Sequence, residues 1–328
     1  MSGAEGGGAP DAVAVAASGP AADDGGEATV RLVPGTLLSF GHGYVARALA
    51  ARLIPQGWRV IATTRRADAV DAIRATGAEP LLWPGADIGP ALARASHVLS
   101  SAPPDPSRRD ETDGGDPVLA AAGAALVSAG HLSWMGYLST TGVYGDHAGG
   151  WVDEDTPATP GSPRAAARVT AEAAWMRTAA AAGVRLTVFR LSGIYGPGRS
   201  PFGQLADGSA RAIVKPGQVF SRIHVDDIVQ ALVAAIARPD AVGCVNLADD
   251  LPAAPQDVLW HAADLAGLPR PPALPFAEAD LGPMARSFYA ECRRVRNHRL
   301  TSTLGVRLIH RDFRSGLVAT LAAERAGG

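Results

Sequence analysis

Two arginines four residues apart raise the question of what chemistry this chain performs. Arg164 and Arg168 lie in the alanine-rich stretch SPRAAARVTAEAAW, residues 162–175, whose composition predicts a helix. Side chains at this spacing share one helix face, where like charges cost roughly 0.2–0.5 kcal/mol. The pair is therefore either a solvated face or part of a working site. Arginine stays protonated at ordinary pH, so it could stabilise an oxyanion or bind an anion but could not act as a general base.

A glycine pattern near the start of the chain predicts nucleotide binding. Gly41, Gly43 and Ala46 form G-x-G-x-x-A between a predicted strand, 35–40, and a predicted helix, 44–57. The first glycine permits a tight turn, the second lets the backbone approach a pyrophosphate, and Ala46 keeps the helix close to the sheet. A helix N-terminus also favours the anion. The predicted cradle is Gly41, His42, Gly43, Tyr44, Val45 and Ala46; a plain turn is the alternative.

The end of the next predicted strand, 59–64, favours NADP(H). Thr64, Arg65 and Arg66 occupy the position where an acidic residue would bind the ribose of NAD, and no acid precedes Asp68. An arginine there accommodates a 2′-phosphate. NAD(H) stays the alternative cofactor, and two exposed arginines that start a helix are the alternative interpretation. Further along the chain, Ser101, Ala102 and Pro103 lie at the end of the strand-like segment 97–104 and are predicted to contact the nucleotide, although the prolines could equally stop the strand.

Hydroxyl groups mark the end of a central strand. YLSTTGVYGD places Ser139, Thr140, Thr141 and Tyr144 at or just after the end of the predicted strand 134–140. Ligands bind at the carboxyl ends of strands in open α/β sheets, so these hydroxyls are candidate site residues. Capping of backbone groups is the alternative use.

Two further motifs, one with possible metal ligands and one basic, each have a simple structural explanation. RIHVDDI contains His224, Asp226 and Asp227, but an N-cap explains Asp226 and no third cluster lies at ligand spacing, so we predict no metal site. CRRVRNHR, residues 292–299, is expected to be a solvated basic face, with a clamp for an anionic substrate as the alternative.

The order of elements defines the expected fold. Short apolar strands alternate with helices up to residue 196, which predicts an α/β fold with a doubly wound parallel sheet. We expect a flexible tail at residues 1–33, a Rossmann domain at 34–196, and at 197–328 a small C-terminal α+β substrate lobe partly threaded back onto the first domain. The segment around Pro216-Gly217 resembles a hairpin.

Composition excludes several classes of protein. The 328 residues are 47 % hydrophobic and 19 % charged with a net charge of −2, which is typical of a globular protein and does not favour nucleic acid. The two cysteines form no disulfide framework, no apolar run is long enough for a membrane span, and no signal peptide is evident. We therefore expect a cytoplasmic protein without membrane or nucleic-acid partners.

Five motifs in order resemble one superfamily. The glycine loop at 41–46, STTGVYGD, FRLSGIYGPGR, RIHVDDIVQAL and VNLADD are similar to the extended and atypical short-chain dehydrogenase/reductases, the NAD(P)-dependent epimerase/dehydratase superfamily. The resemblance runs from about residue 35 to the end, and the C-terminal segment resembles a bacterial atypical branch. It implies a Rossmann domain that binds NAD(P)(H) and a small substrate lobe.

The resemblance also implies roles for individual residues. Thr140 matches the catalytic Ser/Thr, and Arg164 and Arg168 stand where the superfamily has its catalytic Tyr and Lys. The Lys position holds the nicotinamide ribose in the superfamily, and Arg168 could do the same. With the catalytic tyrosine absent, Tyr144 or Tyr195 is the hypothetical proton donor.

The dehydratase pair is missing as well. Dehydratases of the superfamily carry Asp-Glu just after the catalytic Thr, and here those positions are Thr141 and Gly142.

The expected function is hydride transfer on a small carbonyl or alcohol substrate. Arg199, Lys215 and Arg222 lie in the segment that lines the substrate site in relatives and could bind an anionic group. Relatives often form homodimers, so a homodimer is one expected assembly. The alternative function is a catalytically silent dinucleotide-binding sensor or scaffold.

Overall fold

A parallel sheet is the centre of the computed structural model, which describes residues 32–108, 112–238 and 240–327. The strands are β1 Thr36–Phe40, β2 Arg59–Thr64, β3 Glu79–Leu82, β4 His97–Ser100, β5 Trp134–Thr140, β6 Trp151–Val152, β7 Leu186–Leu191, β8 Gly193–Tyr195, β9 Ala212–Val214, β10 Arg222–His224, β11 Gly243–Leu247, β12 Ala273–Pro275 and β13 Arg294–Val295. Seven of them form one sheet in the order β3-β2-β1-β4-β5-β7-β11. Every pairing in it is parallel, which confirms the predicted doubly wound α/β fold.

Helices cover both faces of this sheet. They are α1 Tyr44–Leu53, α2 Val70–Ala75, α3 Gly89–Arg94, α4 Pro117–Ser128, α5 Pro163–Ala182, α6 Phe202–Ala206, α7 Val225–Ala237, α8 Pro255–Ala266, α9 Pro283–Phe288, α10 His298–Ser302 and α11 Phe313–Gly327. Because successive strand residues point to opposite faces, the strands supply two cores. Leu37 and Val60 join the core beneath α1 and α7, whereas Leu38 and Ile61 join the core beneath α3, α4 and α5.

The strand order creates a crevice between β1 and β4. The strand order reverses here: β2 and β3 lie on one side of β1, and β4, β5, β7 and β11 lie on the other. Phe40 pairs with Ser100 at the carboxyl ends of the two strands. Such a switch point is where open α/β sheets bind ligands, and residues 41 and 101 immediately follow it.

The C-terminal part of the chain contributes to more than one layer. Strand β11 adds the last strand of the main sheet, and α7 packs beside α1. Phe202, Val258 and Phe313, from α6, α8 and α11, form a separate apolar cluster. The boundaries expected at 34–196 and 197–328 stay a prediction, and residues 1–31 of the expected tail lie outside the described residues.

Two local predictions are wrong. Pro216 and Gly217 do form a turn, closed by the bond from the Gln218 amide to the Lys215 carbonyl. The flanking strands do not form a hairpin, however, because β9 pairs with β12 and β10 pairs with β8, both in parallel. The N-cap of α7 is His224, not Asp226.

Within the part of the chain that the structure describes, no helix is both long and apolar enough to cross a membrane.

Candidate functional site

The glycine loop closes tightly against β2 and β4. Gly41 has φ +90°, a conformation that favours glycine, and a Cβ there would lie 2.6 Å from Ser101 Oγ. Its amide donates to Thr63 Oγ1 at 2.9 Å, which attaches the loop to the end of β2. The tight turn predicted for Gly41 therefore has two physical causes, a left-handed backbone and a close neighbour.

The second glycine faces open space. A Cβ on Gly43 would meet no atom within 4 Å, although this residue has ordinary negative φ. Gly43 is the N-cap of α1, where no side chain caps the helix and no acidic residue lies in the first turn. The free amides and the helix dipole leave this end electropositive, which suits a pyrophosphate.

Unsatisfied polar atoms lie beside the same crevice. Both ring nitrogens of His42 and the Ser100 hydroxyl are buried without a hydrogen-bond partner among the described residues. Burial also lowers the pKa of His42, with Arg47 acting in the same direction. Buried polar groups normally find partners, so these atoms and the open space at Gly43 fit a bound dinucleotide.

The other predicted cradle residues pack around this loop. Val45 and Ala46 are buried against the sheet, as expected for a helix held close to its strand. The Tyr44 hydroxyl donates to the Pro197 carbonyl at 2.9 Å, and the Arg199 guanidinium lies 5.9 Å from the Tyr44 ring centroid. Tyr44 therefore joins the glycine loop to the segment after β8.

The predicted ribose-binding residues stand at the end of β2. Arg66 donates to Asp68 through Nε at 2.9 Å and through Nη2, in an exposed ion pair. Arg65 is exposed and makes no ion pair with another described residue. The guanidinium of Arg65 is therefore the one at this strand end without a carboxylate partner in the described part of the chain. Ser101, Ala102 and Pro103 directly follow β4, and Ser101 Oγ donates to the Phe40 carbonyl at 3.1 Å.

Thr140 ends β5 two strands from β1. It is half-buried, and its Oγ1 accepts a 3.1 Å bond from the Gly142 amide as the cap of the short 3-10 helix Thr141–Tyr144. Strand-end capping, the alternative use of this hydroxyl, therefore does occur. The hydroxyl proton is not consumed by that contact and remains available for donation to a ligand.

The two arginines of α5 share a face but have different surroundings. Arg164 is exposed in the first turn, and no hydrogen bond or ion pair links it to other described residues. Arg168 is half-buried, and its Nη1 donates to the Leu138 carbonyl at 2.6 Å and to the Tyr137 hydroxyl at 3.2 Å. Arg168 thus braces the strand that carries Thr140, a role not evident from its spacing in the sequence.

A buried ion pair that the sequence analysis missed lies one helical turn further along α5. Glu172 accepts from Ser139 Oγ at 2.5 Å and from Arg190 Nη2 at 2.7 Å, and both charged side chains are less than a tenth exposed. Burial alone would lower the pKa of Arg190, but the hydrogen bonds and charge of Glu172 hold it above its usual value. The pair links α5 to β7 and, through Ser139, to the end of β5 that carries Thr140.

The proposed role of Tyr144 as proton donor needs correction. This side chain is fully buried, donates to Asn246 Oδ1 at 2.7 Å and accepts from Arg190 Nη1 at 3.0 Å. Burial raises the pKa of Tyr144 to about 12. Tyr195 is also buried, with its hydroxyl 3.4 Å from the Asp312 carbonyl. Neither tyrosine presents a free hydroxyl to the Thr140 edge of the sheet.

An arginine that is distant in the sequence lies near the turn that follows Thr140. A Cβ on Gly142 would be 3.3 Å from Thr140 Oγ1 and 3.9 Å from Arg293 Nη2. Arg293 Nη1 donates to the Gly145 carbonyl and to Glu291 Oε2, each at 2.6 Å. The basic segment 292–299 was expected to be a solvated face, but Arg293 is mostly buried and hydrogen-bonded. The motif CRRVRNHR was visible in the sequence, but its proximity to residue 142 was not.

Two of the other predicted anion-binding residues, Arg222 and Lys215, already donate hydrogen bonds to backbone carbonyls. Arg222 is half-buried and donates to the carbonyls of Phe220 and Ala253 at 2.9 and 3.0 Å. Lys215 donates through Nζ to the Tyr289 carbonyl and lines a cleft of about 240 Å³. Asp146 and Cys292 line the same cleft, which therefore adjoins the segment that carries Arg293.

The structure overturns the reason for predicting no metal site. His224 and Asp226 are joined by His310, a third candidate ligand supplied by a distant segment. Asp226 is also not the N-cap that explained its presence. The sequence spacing gave no indication of this contribution.

The glycine loop at the β1–β4 switch point and the uncapped start of α1 define a Rossmann-type dinucleotide-binding protein. Residues 40–248 match the model of the NAD dependent epimerase/dehydratase family, and the chain belongs to that family. Membership confirms the resemblance drawn from the five motifs and supports NAD(H) as the cofactor class.

Individual relatives differ in how much they share with this chain. A solved structure from Silicibacter pomeroyi DSS, described as a functionally unknown conserved protein, is 56 % identical with a TM-score of 0.82, covering 88 % of this chain and 99 % of that one. A 3-diazoavenalumate denitrifying reductase from Streptomyces sp is 35 % identical over 179 residues, 51 % of this chain and 58 % of that protein's length. MoeE5, solved with UDP-glucuronic acid and NAD, is 21 % identical with a TM-score of 0.70, covering 90 % of this chain and all of that one, and shares the fold.

Proposed function

We propose that this protein is an NAD(P)-dependent oxidoreductase of the short-chain dehydrogenase type, acting on a small carbonyl or alcohol substrate beside Thr140. The main observation that supports this proposal is the open, uncapped N-terminus of α1 at Gly43, which lies at the switch point of the sheet. When bound there, the nicotinamide cofactor supplies or accepts the hydride. The protein's contribution is to bind, orient and stabilise charge.

Thr140 and Arg293 are the proposed groups at the reacting oxygen. The Thr140 hydroxyl is free to donate because its Oγ1 only accepts from the Gly142 amide. Arg293 Nη2 makes no hydrogen bond to another described residue, while Nη1 anchors the side chain to Gly145 and Glu291. As a substrate carbonyl is reduced, its oxygen gains the electron pair of the π bond, and these two donors stabilise that negative charge. A solvent proton then completes the alcohol.

The two α5 arginines have separate proposed roles. Arg168 positions the end of β5 through the Leu138 carbonyl and therefore acts on Thr140 rather than on the substrate. Arg164 projects from the first turn of the same helix without a partner in the described residues and is available to an anionic substrate group. We therefore favour a substrate that carries a carboxylate or phosphate, bound by Arg164 or Arg293 rather than by Arg222, which already donates to two backbone carbonyls.

The preferred cofactor in this proposal is NADP(H), with NAD(H) as the alternative. Arg65 supports the preference because its guanidinium stands at the end of β2 without a carboxylate partner in the described residues. Arg66 supports it less, since Asp68 already binds its guanidinium. A small-molecule substrate, a homodimer and a cytoplasmic location stay predictions.

A silent sensor or scaffold is the second candidate function. The observation in its favour is that the structure provides neither Tyr144 nor Tyr195 as a free proton donor, and that Arg168 is committed to backbone bracing. Such a protein would bind the dinucleotide and signal through its surface without turnover.

Fluorescence titration with NADPH and NADH tests the cofactor part of the proposal. Arg65→Ala should weaken NADPH binding by about 10- to 100-fold, the loss of one or two charged hydrogen bonds, and leave NADH binding unchanged. Arg59→Ala, exposed at the opposite end of β2, is the matched control. Equal affinity of the wild-type protein for both dinucleotides would remove the NADP preference, and binding of neither would overturn both candidate functions.

Turnover separates the two candidates. Steady-state oxidation of NADPH or NADH with a panel of ketones, aldehydes and keto acids should identify at least one substrate, and Thr140→Val should abolish its turnover while cofactor affinity stays unchanged. Tight cofactor binding with no turnover across the panel would favour the silent sensor.

A further inference from the structure

We propose that His224, Asp226 and His310 form a binding site for one divalent transition-metal ion, such as Zn²⁺. One carboxylate oxygen, Asp226 Oδ2, lies 3.4 Å from His224 Nδ1 and 3.4 Å from His310 Nε2. Tetrahedral ligands at the usual Zn–N and Zn–O distances stand about 3.4 Å apart. All three ligand atoms lie within 4.8 Å of one another.

A neighbouring hydroxyl orients His224 as a metal ligand. His224 Nε2 lies 3.2 Å from Thr320 Oγ1, and that hydroxyl donates its own hydrogen bond to the Gly316 carbonyl at 2.8 Å. Thr320 Oγ1 must therefore accept a hydrogen bond from the Nε2 proton, so that Nδ1 carries the lone pair on the side of the ring that faces Asp226. Metal-binding histidines are commonly fixed in this way by their second nitrogen. The lone pair now accepts only a 3.2 Å bond from the Asp226 amide, which an ion would replace.

The first turn of α7 also holds the third ligand in place. Asp227 is fully buried and accepts from the amides of Ile309 at 2.6 Å and His310 at 3.2 Å. These two hydrogen bonds hold the segment that carries His310 next to the first turn of α7, close to His224 and Asp226. The two imidazole rings consequently lie close together, with centroids 4.1 Å apart and planes tilted by 60°. The ligands are therefore organised before an ion arrives.

The ligand set and exposure define what ion fits. Two imidazoles and one carboxylate suit Zn²⁺, Co²⁺ or Ni²⁺ and do not suit Mg²⁺ or Ca²⁺, which prefer all-oxygen sites. Both histidines are less than a tenth exposed, while the Asp226 side chain is 56 % exposed and provides a route from solvent. Three protein ligands leave at least one coordination position for water.

The site adjoins the cofactor loop without being part of it. A Cβ on Gly196 would lie 2.7 Å from the Tyr44 hydroxyl and 3.4 Å from His224 Nε2. A bound ion would join the start of α7 to the segment before α11 and so stabilise the wall behind the glycine loop. This site is independent of the proposed oxidoreductase activity.

The test uses the full chain, without an affinity tag, because its own eight histidines are then the only imidazoles. After treatment with a chelator, the protein should bind one equivalent of Zn²⁺ by calorimetry, raise its Tm with Zn²⁺ but not with Mg²⁺, and give visible d–d absorption bands with Co²⁺. His310→Gln and Asp226→Asn should each weaken Zn²⁺ binding by at least 100-fold, and Thr320→Val by about 10- to 100-fold.

A matched control and a second ligand variant keep the test decisive. His298→Gln removes an exposed histidine of α10 and should leave Zn²⁺ binding unchanged. Asp226 is exposed, so Asp226→Asn is expected to fold even if His310→Gln does not. Absence of stoichiometric Zn²⁺ binding, or equal loss in His298→Gln and Asp226→Asn, would overturn the proposal whatever the protein's activity proves to be.

Discussion

Replacing Gly43 with alanine should weaken dinucleotide binding and leave the fold intact. Gly43 has φ −78° and ψ −166°, which alanine adopts without strain, and a Cβ there would meet no protein atom within 4 Å. The added methyl group therefore projects into the space that we assign to the pyrophosphate. The neighbouring glycine offers the opposite case, because Gly41 has φ +90° and its Cβ would lie 2.6 Å from Ser101 Oγ.

The magnitudes follow from these surroundings. Displacing the pyrophosphate from one charged hydrogen bond to the α1 amides costs about 1.5–3 kcal/mol, or roughly 10- to 150-fold in affinity. The stability of Gly43→Ala should stay within about 1 kcal/mol of wild type, because the lower entropy of the unfolded chain offsets the poorer capping by alanine. Gly41→Ala forces a left-handed alanine and should lose about 1–3 kcal/mol of stability.

Two measurements on the same samples separate these effects. Thermal unfolding reports the stability, and NADPH and NADH fluorescence titrations report the affinity. Gly130→Ala is the control, because a Cβ there also meets nothing within 4 Å but the residue precedes β5 at the opposite edge of the sheet. Wild-type affinity in Gly43→Ala for both dinucleotides would refute the assignment of the pyrophosphate to this helix end.

Three further outcomes are expected. Arg293→Gln should raise KM or lower kcat at least 10-fold for whichever substrate the panel identifies, with unchanged cofactor affinity; unchanged kinetics would place the substrate elsewhere. Glu172→Gln leaves Arg190 buried without its counter-charge and should cost about 3–5 kcal/mol in urea unfolding, whereas replacing both residues with methionine should cost less; equal losses would show that the pairing is unimportant. Burial raises the pKa of Asp249 to about 8, so the folded state retains a proton that the unfolded state releases near pH 4. Stability from this group is therefore present at low pH and is lost as the pH rises towards 8, and Tm should fall less between pH 6 and 9 in Asp249→Asn than in wild type.

The cofactor loop could be predicted from the sequence because its determinants are local. A glycine pattern between a strand and a helix specifies the turn, the helix start and the close approach of backbone within six residues, 41–46. The strands that flank it follow from periodic apolar residues in the same way, which is why β2 and β5 occupy the predicted ranges 59–64 and 134–140. The roles of the α5 arginines could not be predicted equally well, because spacing gives the shared face but not the neighbours on that face.

Sequence alone determined the fold class, the glycine cradle and the position of Thr140 at a strand end, since each depends on residues near one another in the chain. Tertiary structure decided which distant groups complete the site. Arg293 reaches the turn after Thr140 from about 150 positions away, and His310 joins His224 through amide bonds to Asp227. It also decided that Tyr144 is a buried hydrogen-bonding residue rather than a proton donor. These outcomes depend on how separate segments pack, and hydrophobic periodicity and motif spacing carry no information about which polar side chains then meet.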